Sequence, residues 1–319
     1  MTKLLTKVLL ILISTTVYCA SSASTKEISD FKQNLVTKFK FKTAEVNHVM
    51  QNAKYNPKVI SLMESPYEKK SYTEYRKLFV SPSKIANGKK FIKKNKPYLD
   101  SIAKGYGIPV EIITAVIGVE SNYKPVKTSY RALDSLYTLA FYYPKRSKFF
   151  KYELEQFLLL SRDLKVSPES ITGSYAGALG MPQFMPSNYR HLAKTTKKQY
   201  PDLFNSKNDA IISVANYLHH FGWVKDQDPA INIDVTKSAL KSKLTTNTVL
   251  TISELNSMGV TTDAAINKAT KTRILDTNEP LQQNVWLGLT NLKVIKSYNN
   301  SDLYALAVFE LAQSLKDKV

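Results

Sequence analysis

Glu120 lies on the apolar stripe of a predicted amphipathic helix, an unusual position for a carboxylate. Ile108-Pro109 marks where this helix begins, because proline fits the first helical turn. The residues of the stripe follow at helical spacing: Ile112, Ile113, Val116, Ile117 and Glu120. Ionisation is costly on an apolar face, so the pKa of the Glu120 carboxyl is expected to lie above its ordinary value. A raised pKa suits a general acid that stays protonated until it meets a glycosidic oxygen. A helix-end glutamate that only bonds a nearby N–H or lysine would show the same spacing.

Residues 173–187 form a second stretch with side chains suited to binding. Glycines and alanines there separate aromatic, hydroxyl and amide side chains, among them Ser174 and Gln183. Close-fitting backbone with outward polar groups is typical of a groove that lets a sugar chain approach closely. A phosphate-binding loop is disfavoured, since no Gly-Lys-Ser or Gly-Lys-Thr ending follows. A loop that only packs against its neighbour is the alternative.

The elements that must position these residues are mainly helical. The chain from residue 29 to about 102 is predicted to be helical with breaks, and further helices are predicted at 132–141, 147–161, 187–192, 210–221, 285–297 and 304–315. The composition shifts near Asp228-Pro229, and residues 231–262 are rich in Thr, Val, Ile and Ser, which predicts a small antiparallel β subdomain. The predicted fold class is therefore α+β, mainly α. The predicted organisation is a signal peptide at 1–23, a helical catalytic region at 24–230, a β-rich subdomain at 231–279 and C-terminal helices at 280–319 that return to the core.

The composition is that of a globular protein with a large positive charge. The 319 residues are 43% hydrophobic and 22% charged, with a formal net charge of +19, and they suffice for one large domain or two smaller ones. This charge favours anionic surroundings such as nucleic acid, anionic lipid or an acidic cell-wall polymer. Only six of the 45 basic residues are arginines, and they do not cluster, which argues against nucleic-acid recognition. A solvated lysine-rich face would also explain much of the charge.

The N-terminus has the features of a secretory signal. Lys3 and Lys7 precede a short apolar run at 8–13, and small residues follow up to Ala23, where cleavage is predicted. Cys19 is the only cysteine, so an internal disulfide is excluded. Processing immediately before Cys19 would instead attach a lipid, but the large Tyr18 at the preceding position disfavours it. The protein is therefore predicted to be periplasmic or, if Cys19 is lipidated, associated with the outer membrane.

Several separated motifs together resemble one family of cell-wall enzymes. The motifs are Val119-Glu120-Ser121, the stretch 173–187, Ser213-Val214-Ala215-Asn216-Tyr217 with Phe221-Gly222-Trp223, and Ser297-Tyr298-Asn299-Asn300-Ser301. The match extends upstream through Pro57-Lys58-Val59-Ile60, Tyr72 and Tyr75-Arg76. In this order and spacing the chain resembles the membrane-bound lytic murein transglycosylase B family, glycoside hydrolase family 103, over nearly its whole mature length.

The resemblance implies a lysozyme-like helical core and an activity on peptidoglycan. The family's reaction cleaves the β-1,4 bond between N-acetylmuramic acid and N-acetylglucosamine and leaves a 1,6-anhydromuramyl product. Glu120 matches the family's acid/base, which protonates the bridging oxygen and then takes the proton of the muramyl C6 hydroxyl as that oxygen closes on C1. The substrate's own N-acetyl group can stabilise the cation-like centre, so no second catalytic carboxylate is required. Peptidoglycan glycan strands are the expected partner, and no nucleic acid is expected.

The resemblance also implies which residues bind the substrate. Ser174 matches a position that hydrogen-bonds near the acid and the sugar, and Tyr75 matches an aromatic residue on the opposite wall of the groove. Further groove positions are matched by Gln183, Tyr217, Tyr298, Asn299 and Tyr304. Lys145 and Arg146 match a basic pair that faces the anionic peptide stem, with lysine in place of a more directional arginine. Because the chain contains 19 tyrosines, ordinary core packing is the alternative for each tyrosine.

The chain departs from the family pattern at two places. Lys124-Pro125 stands just past the catalytic position, where family members usually carry glycine, so the turn there is expected to differ. Some members carry an EF-hand-like calcium loop where this chain has residues 195–202, which contain two lysines and one aspartate. Calcium needs several carboxylates and a central glycine, and the four histidines show no zinc spacing. No metal and no cofactor are therefore predicted.

Two other functions agree with the residues taken alone. A hydrolytic muramidase would use the same acid and groove, with water in place of the C6 hydroxyl. A non-catalytic glycan-binding protein of the cell wall would need the groove but no acid on an apolar face, so Glu120 and Ser174 argue against it. Product mass distinguishes a transglycosylase from a hydrolase, because the anhydro end is one water lighter.

Overall fold

Helices make up most of the chain that the computed structural model describes, which is residues 25–65, 70–126, 130–235, 245–263, 266–280 and 284–316. The predicted signal peptide and Cys19 lie outside these residues. The helices are α1 Thr25–Thr37, α2 Thr43–Asn52, α3 Pro57–Glu64, α4 Tyr72–Phe79, α5 Pro82–Tyr106, α6 Val110–Ser121, α7 Ala132–Tyr142, α8 Ser147–Leu164, α9 Pro186–Leu192, α10 Lys207–His220, α11 Ile252–Ser257, α12 Thr290–Tyr298 and α13 Asp302–Leu315. A 3-10 helix, Pro144–Arg146, precedes α8.

Helix α5 is long, and the sequence sets both of its ends. The Ser81 hydroxyl caps its first turn by accepting a hydrogen bond from the N–H of Lys84, and Pro82 occupies the first helical position. The helix ends where Gly107 adopts a φ of 67°, a left-handed conformation that favours glycine. The sequence predicts the same end, because the amphipathic pattern from Phe91-Ile92 to Ile102 stops at Gly105-Tyr106-Gly107.

Helix α6 is the central helix of the fold. Every residue from Ile112 to Val119 is buried, and the helix packs against α5, α10 and α13. The prediction of a single apolar stripe was too narrow, because α6 is apolar on all sides, as a surrounded helix must be. Glu120 lies where α6 leaves the core, and its side chain is half-buried.

The turn after Glu120 depends on two glycines at the crossing of α5 and α6. A Cβ atom on Gly118 would collide with the hydroxyl of Tyr123, and one on Gly88 would lie 2.5 Å from the same oxygen. The buried Tyr123 ring therefore occupies space that a side chain at position 88 or 118 would fill. The chain passes through Asn122 and Tyr123, both with positive φ, before it reaches Lys124-Pro125.

The strands form two small antiparallel sheets. They are β1 Tyr130–Arg131, β2 Thr172–Gly173, β3 Ala230–Asp234, β4 Val249–Thr251, β5 Lys271–Ile274 and β6 Asn284–Gly288. β1 pairs with β2, and the larger sheet has the order β3-β6-β5-β4. The larger sheet and α11 enclose a separate apolar core that includes Ile233, Leu255, Ile274 and Leu287. The predicted small β subdomain is confirmed.

The helix predicted at 285–297 is wrong over its first residues. Residues 284–288 form β6, which pairs with β3 and β5, and helix begins only at Thr290. Val285 and Leu287 alternate with Trp286, and the two aliphatic side chains enter the core of the sheet. Over so few apolar residues a strand and a helical turn are hard to distinguish by spacing, and strand pairing decides. The sheet therefore extends beyond position 279, where the sequence placed its boundary.

Helix α13 returns to the core and packs against α4, α5 and α6.

Within the described residues no single helix is long and apolar enough to cross a membrane. One pair of helices, α5 with α6, has the required length and apolar composition when taken together, but it is bent by 112°.

Candidate active site

Glu120 meets a cluster of tyrosines contributed by three other helices. The hydroxyl of Tyr304, on α13, donates to Glu120 Oε1 at 2.6 Å. Tyr298, the last residue of α12, stacks on Tyr304 with ring centroids 6.4 Å apart and an interplanar angle of 15°. Tyr217, on α10, lies 4.6 Å from Tyr298 between ring centroids. The fold thus brings together four predicted site residues from four helices.

Hydrogen bonds fix the orientation of this tyrosine cluster. The Tyr217 hydroxyl donates to the carbonyl of Ser297, and the Tyr298 hydroxyl donates to the carbonyl of Pro182, each at 2.6 Å. The ring of Phe184 packs against both, with its centroid 5.4 Å from that of Tyr217 and 5.7 Å from that of Tyr298. These contacts join α10, α12 and the 173–187 loop into one wall. Tyr217 and Tyr304 are each 2% exposed, so Tyr298 alone among the three tyrosines has a partly exposed ring.

The tyrosines are neutral hydrogen-bonding groups. Burial is the main cause that raises the pKa values of Tyr298 and Tyr304 well above the ordinary value, and the negative charge of Glu120 raises them further. Burial likewise raises the pKa of Tyr217 to about 12. All three hydroxyls are therefore protonated near neutral pH. A neutral donor such as Tyr304 stabilises the carboxylate form of Glu120.

The 173–187 loop holds Ser174 and Gln183 through its own backbone. The Ser174 hydroxyl oxygen accepts the N–H groups of Ala176 at 3.2 Å and Ala178 at 3.0 Å. Gln183 has a φ of 50° and donates its side-chain N–H to the carbonyl of Gly180 at 2.7 Å. Since the Ser174 oxygen already accepts two bonds, its hydroxyl proton is oriented to donate.

The remaining predicted residues divide into two groups. Tyr75, on α4, is buried and close enough to Tyr304 to raise its pKa, and Asn299 directly follows Tyr298. Lys145 and Arg146 are exposed on the 3-10 helix. Lys145 lies 4.0 Å from Glu64, and Arg146 stacks on an aromatic ring of α8. Among the described residues no hydrogen bond, ion pair or ring contact connects this basic pair to the tyrosine cluster, so its role stays a prediction.

Lys84, which has no distinguishing feature in the sequence, lies next to the last turn of α6. Lys84 Nζ donates to the carbonyl of Gly118 at 2.9 Å, two residues before Glu120 on α6. In sequence Lys84 is one of 39 lysines, and nothing in its spacing sets it apart. The contact depends on how α5 crosses α6, which only the tertiary structure reveals.

The family model described as Transglycosylase SLT domain matches residues 23–313. Membrane-bound lytic murein transglycosylase B of Escherichia coli (strain K12) is 33% identical over 303 residues, which cover 92% of this chain and 83% of that protein. The chain belongs to the transglycosylase SLT domain family.

Solved structures agree with this family assignment. The Escherichia coli lytic transglycosylase SLT35 in complex with calcium is 34% identical, covers 90% of this chain and 92% of its own, and superimposes with a TM-score of 0.81. The catenated lytic transglycosylase SltB1 of Pseudomonas aeruginosa is 34% identical, with coverages of 91% and 96% and a TM-score of 0.82. The family, the lysozyme-like α+β fold and the activity predicted from the sequence, peptidoglycan lytic transglycosylase, are confirmed. The catalytic role of Glu120 stays a prediction.

The stretch that the sequence aligned with the family's calcium loop does not fit a calcium ion. Asp209 is 1% exposed, and its two oxygens accept the Thr195 hydroxyl and the Asp202 N–H, each at 2.9 Å. Asp202 in turn accepts the N–H of Phe204 at 2.9 Å. Both carboxylates thus close the loop by hydrogen bonds. The described residues contain no group of three or more His, Cys, Asp or Glu side chains that could hold a metal ion.

Calcium is expected to leave the melting temperature of this family member unchanged. A ligand that binds only the native state must stabilise it by mass action, and the loop around Asp209 offers hydrogen bonds where calcium would need free oxygens. Thermal melting with calcium and with magnesium measures this directly. The variant Asp209→Ala should cost about 1–3 kcal/mol with or without calcium, because it leaves buried donors unpaired. A saturable rise with calcium alone would contradict the hydrogen-bonded account of the loop.

Proposed function

We propose that Glu120 is the single acid/base of this lytic transglycosylase. Protonated Glu120 gives its proton to the bridging oxygen as the bond from that oxygen to the muramyl C1 breaks, and N-acetylglucosamine leaves with a free 4-hydroxyl. The resulting carboxylate then accepts the proton of the muramyl C6 hydroxyl as O6 bonds to C1. The product is a 1,6-anhydromuramyl end, and no water is consumed.

The 2.6 Å hydrogen bond from Tyr304 to Glu120 is the observation that carries this proposal. It fixes one oxygen of a half-buried carboxylate at the edge of an apolar core, next to a wall of tyrosines. A neutral donor supports the carboxylate after the first proton transfer without removing its ability to take a proton back. Glu120 can therefore serve in both steps.

Asp134, the first carboxylate after Glu120 in the sequence, is engaged elsewhere. Asp134 pairs with Arg131 at 3.3 Å and accepts the N–H of Lys54 at 2.9 Å. An inverting hydrolase would need a base about 6.5–9.5 Å from the acid to activate water. The C6 hydroxyl is already tethered to the reacting ring, and tethering can contribute roughly 7–11 kcal/mol when the alignment is good. Attack by the tethered C6 hydroxyl is therefore favoured over attack by a water molecule, which would need a second base.

The substrate of the proposed reaction is the peptidoglycan glycan strand. Tyr298, which is partly exposed, would lie against a sugar face, and Ser174, Gln183 and Asn299 would bond sugar oxygens. Tyr217 and Tyr75 are each 2% exposed and would support these groups from within the core. Lys145 and Arg146 would meet the acidic peptide stem. Export to the periplasm follows from the N-terminal signal, and a lipid on Cys19 is the alternative processing.

Digestion of purified sacculi in oxygen-18 water tests the reaction. Mass spectrometry is expected to find 1,6-anhydromuramyl ends without heavy label. Reducing ends that carry oxygen-18 would make the enzyme a hydrolase. Glycan binding with no cleavage at all would instead indicate a non-catalytic cell-wall protein.

A further inference from the structure

Lys84 is a partly buried cation beside the acid that the reaction described above does not use. Its Nζ donates to the carbonyl of Gly118 at 2.9 Å and lies 5.3 Å from the centroid of the Phe79 ring. Gly118 precedes Glu120 by two residues in the last turn of α6. We propose that Lys84 is a positioning residue that sets the proton affinity of Glu120.

The position of Lys84 in α5 is unfavourable for a cation. Lys84 is in the first turn of α5, where its N–H is capped by Ser81. A cation in the first turn of a helix is unfavourable, because the helix dipole is positive there. The side chain instead places its ammonium at the C-terminal end of α6, where the dipole is negative. The position of this lysine is thus explained by α6 and its acid rather than by α5.

The charges around Glu120 give Lys84 its effect. Four groups that interact electrostatically with Glu120 are Lys84 from α5, Tyr217 from α10, Tyr298 from α12 and Tyr304 from α13. The three tyrosines are neutral at neutral pH, whereas Lys84 carries a charge. Burial lowers the pKa of Lys84, and the negative charge of Glu120 raises it. The attraction is mutual, so the ammonium favours the carboxylate form of Glu120.

The role proposed for Lys84 rests on Glu120 being the acid/base of the reaction. Burial of Glu120 favours the protonated acid that begins the reaction, whereas Lys84 favours the carboxylate formed by the first proton transfer. A general acid that must later act as a base works best when neither form is strongly preferred near the operating pH. Lys84 therefore opposes the effect of burial on the proton affinity of Glu120.

The test is the pH profile of kcat/KM for Lys84→Met on soluble glycan strands. In the free enzyme Glu120 must be protonated, so activity is lost as the pH rises through its pKa. Removing the cation raises that pKa, and the alkaline limb is expected to move up by roughly one pH unit. Lys84→Arg keeps the charge and should keep the limb near the wild-type position. Lys90→Met, at an exposed site on the same helix, is the matched control and should leave the profile unchanged.

An alkaline limb that does not move in folded Lys84→Met overturns the proposal, since a purely structural role would lower the rate without shifting the limb. If Lys84→Met melts below the assay temperature, Lys84→Gln carries the same expectation, because glutamine also removes the charge and stays polar at this half-buried position. Glu120→Gln, measured in parallel, separates the two proposals. An active Glu120→Gln would refute the acid/base role itself, whereas an inactive Glu120→Gln with an unmoved Lys84→Met limb would refute only the role of Lys84.

Discussion

Replacing Glu120 with glutamine is expected to lower glycan cleavage by about a hundred- to ten-thousand-fold, the range typical of a lost general acid–base catalyst. Glutamine has nearly the same shape, and its carbonyl oxygen can still accept the Tyr304 hydroxyl that Glu120 accepts at 2.6 Å. It has no titrating proton to give to the bridging oxygen. The fold and the binding of glycan should therefore survive. Muropeptide release from sacculi measures the activity, and melting temperature and co-sedimentation with sacculi measure the rest.

A second glutamate on the same helix provides the control for this variant. Glu111 is in the first turn of α6, at the opposite end from Glu120, and Glu111→Gln changes charge and shape in the same way. It is expected to keep wild-type activity. Activity of Glu120→Gln within a few-fold of wild type would remove Glu120 from the reaction. An equal loss in both variants would mean that α6 tolerates no change of this kind.

Local spacing was enough to predict the helix that carries the acid, and it failed where tertiary contacts decide. Glu120 stands out because a carboxylate interrupts an apolar helical run, and Gly107 and Pro82 mark the ends of α5 by backbone chemistry alone. Strand β6 was misread because Val285-Trp286-Leu287 is too short for its periodicity to identify it. Its partners in β3 lie between 50 positions (Asp234 to Asn284) and 58 positions (Ala230 to Gly288) earlier in the chain, so the segment alone does not reveal the pairing.

In the candidate site, too, the local sequence reveals some features and tertiary contacts decide the others. Tyr217, Tyr298 and Tyr304 could be selected from 19 tyrosines only by their resemblance to a family motif, since spacing gives no reason to prefer them. The hydrogen bond between Tyr304 and Glu120 spans 184 residues, and the contact between Lys84 and Gly118 spans a helix crossing. Both exist because α5 and α13 pack on α6. Long-range contacts of this kind follow from the assembled core and not from any segment.

Replacing Asp302 with alanine is expected to lower the free energy of unfolding by about 3–5 kcal/mol, the cost typical of removing one partner from a buried ion pair. Asp302 is 9% exposed and is the first residue of α13. Its carboxylate accepts two hydrogen bonds from Arg273, at 2.5 and 2.8 Å, and one from Lys296 at 2.7 Å. Alanine would leave these two cations without their carboxylate. Because Arg273 lies on β5, the variant also loosens the β subdomain from the helix that carries Tyr304.

The pH dependence of unfolding distinguishes this ion cluster from ordinary packing. Burial alone would raise the pKa of Asp302, but the hydrogen bonds from Arg273, Lys296 and the N–H of Asp276 outweigh it and lower the pKa to about 2. A lowered pKa stabilises the fold at pH values above the ordinary value of 3.8. That stability is lost as the pH falls towards 2. The linkage corresponds to about 2 kcal/mol, which is less than the cost of the substitution because protonation keeps the side chain in place.

Urea unfolding at pH 7 and near pH 2.5 provides the measurement. The difference in stability between wild type and Asp302→Ala should narrow at the lower pH, where the wild type has lost part of the contribution of this carboxylate. Asp100→Ala is the matched control, because Asp100 forms an exposed pair with Lys96 at 3.0 Å and such pairs contribute only about 0–1 kcal/mol. A loss at Asp302 no larger than that at Asp100, or one that is independent of pH, would mean that apolar packing and not the ion cluster holds α13 in place. Tyr304 would then owe its position beside Glu120 to the core alone.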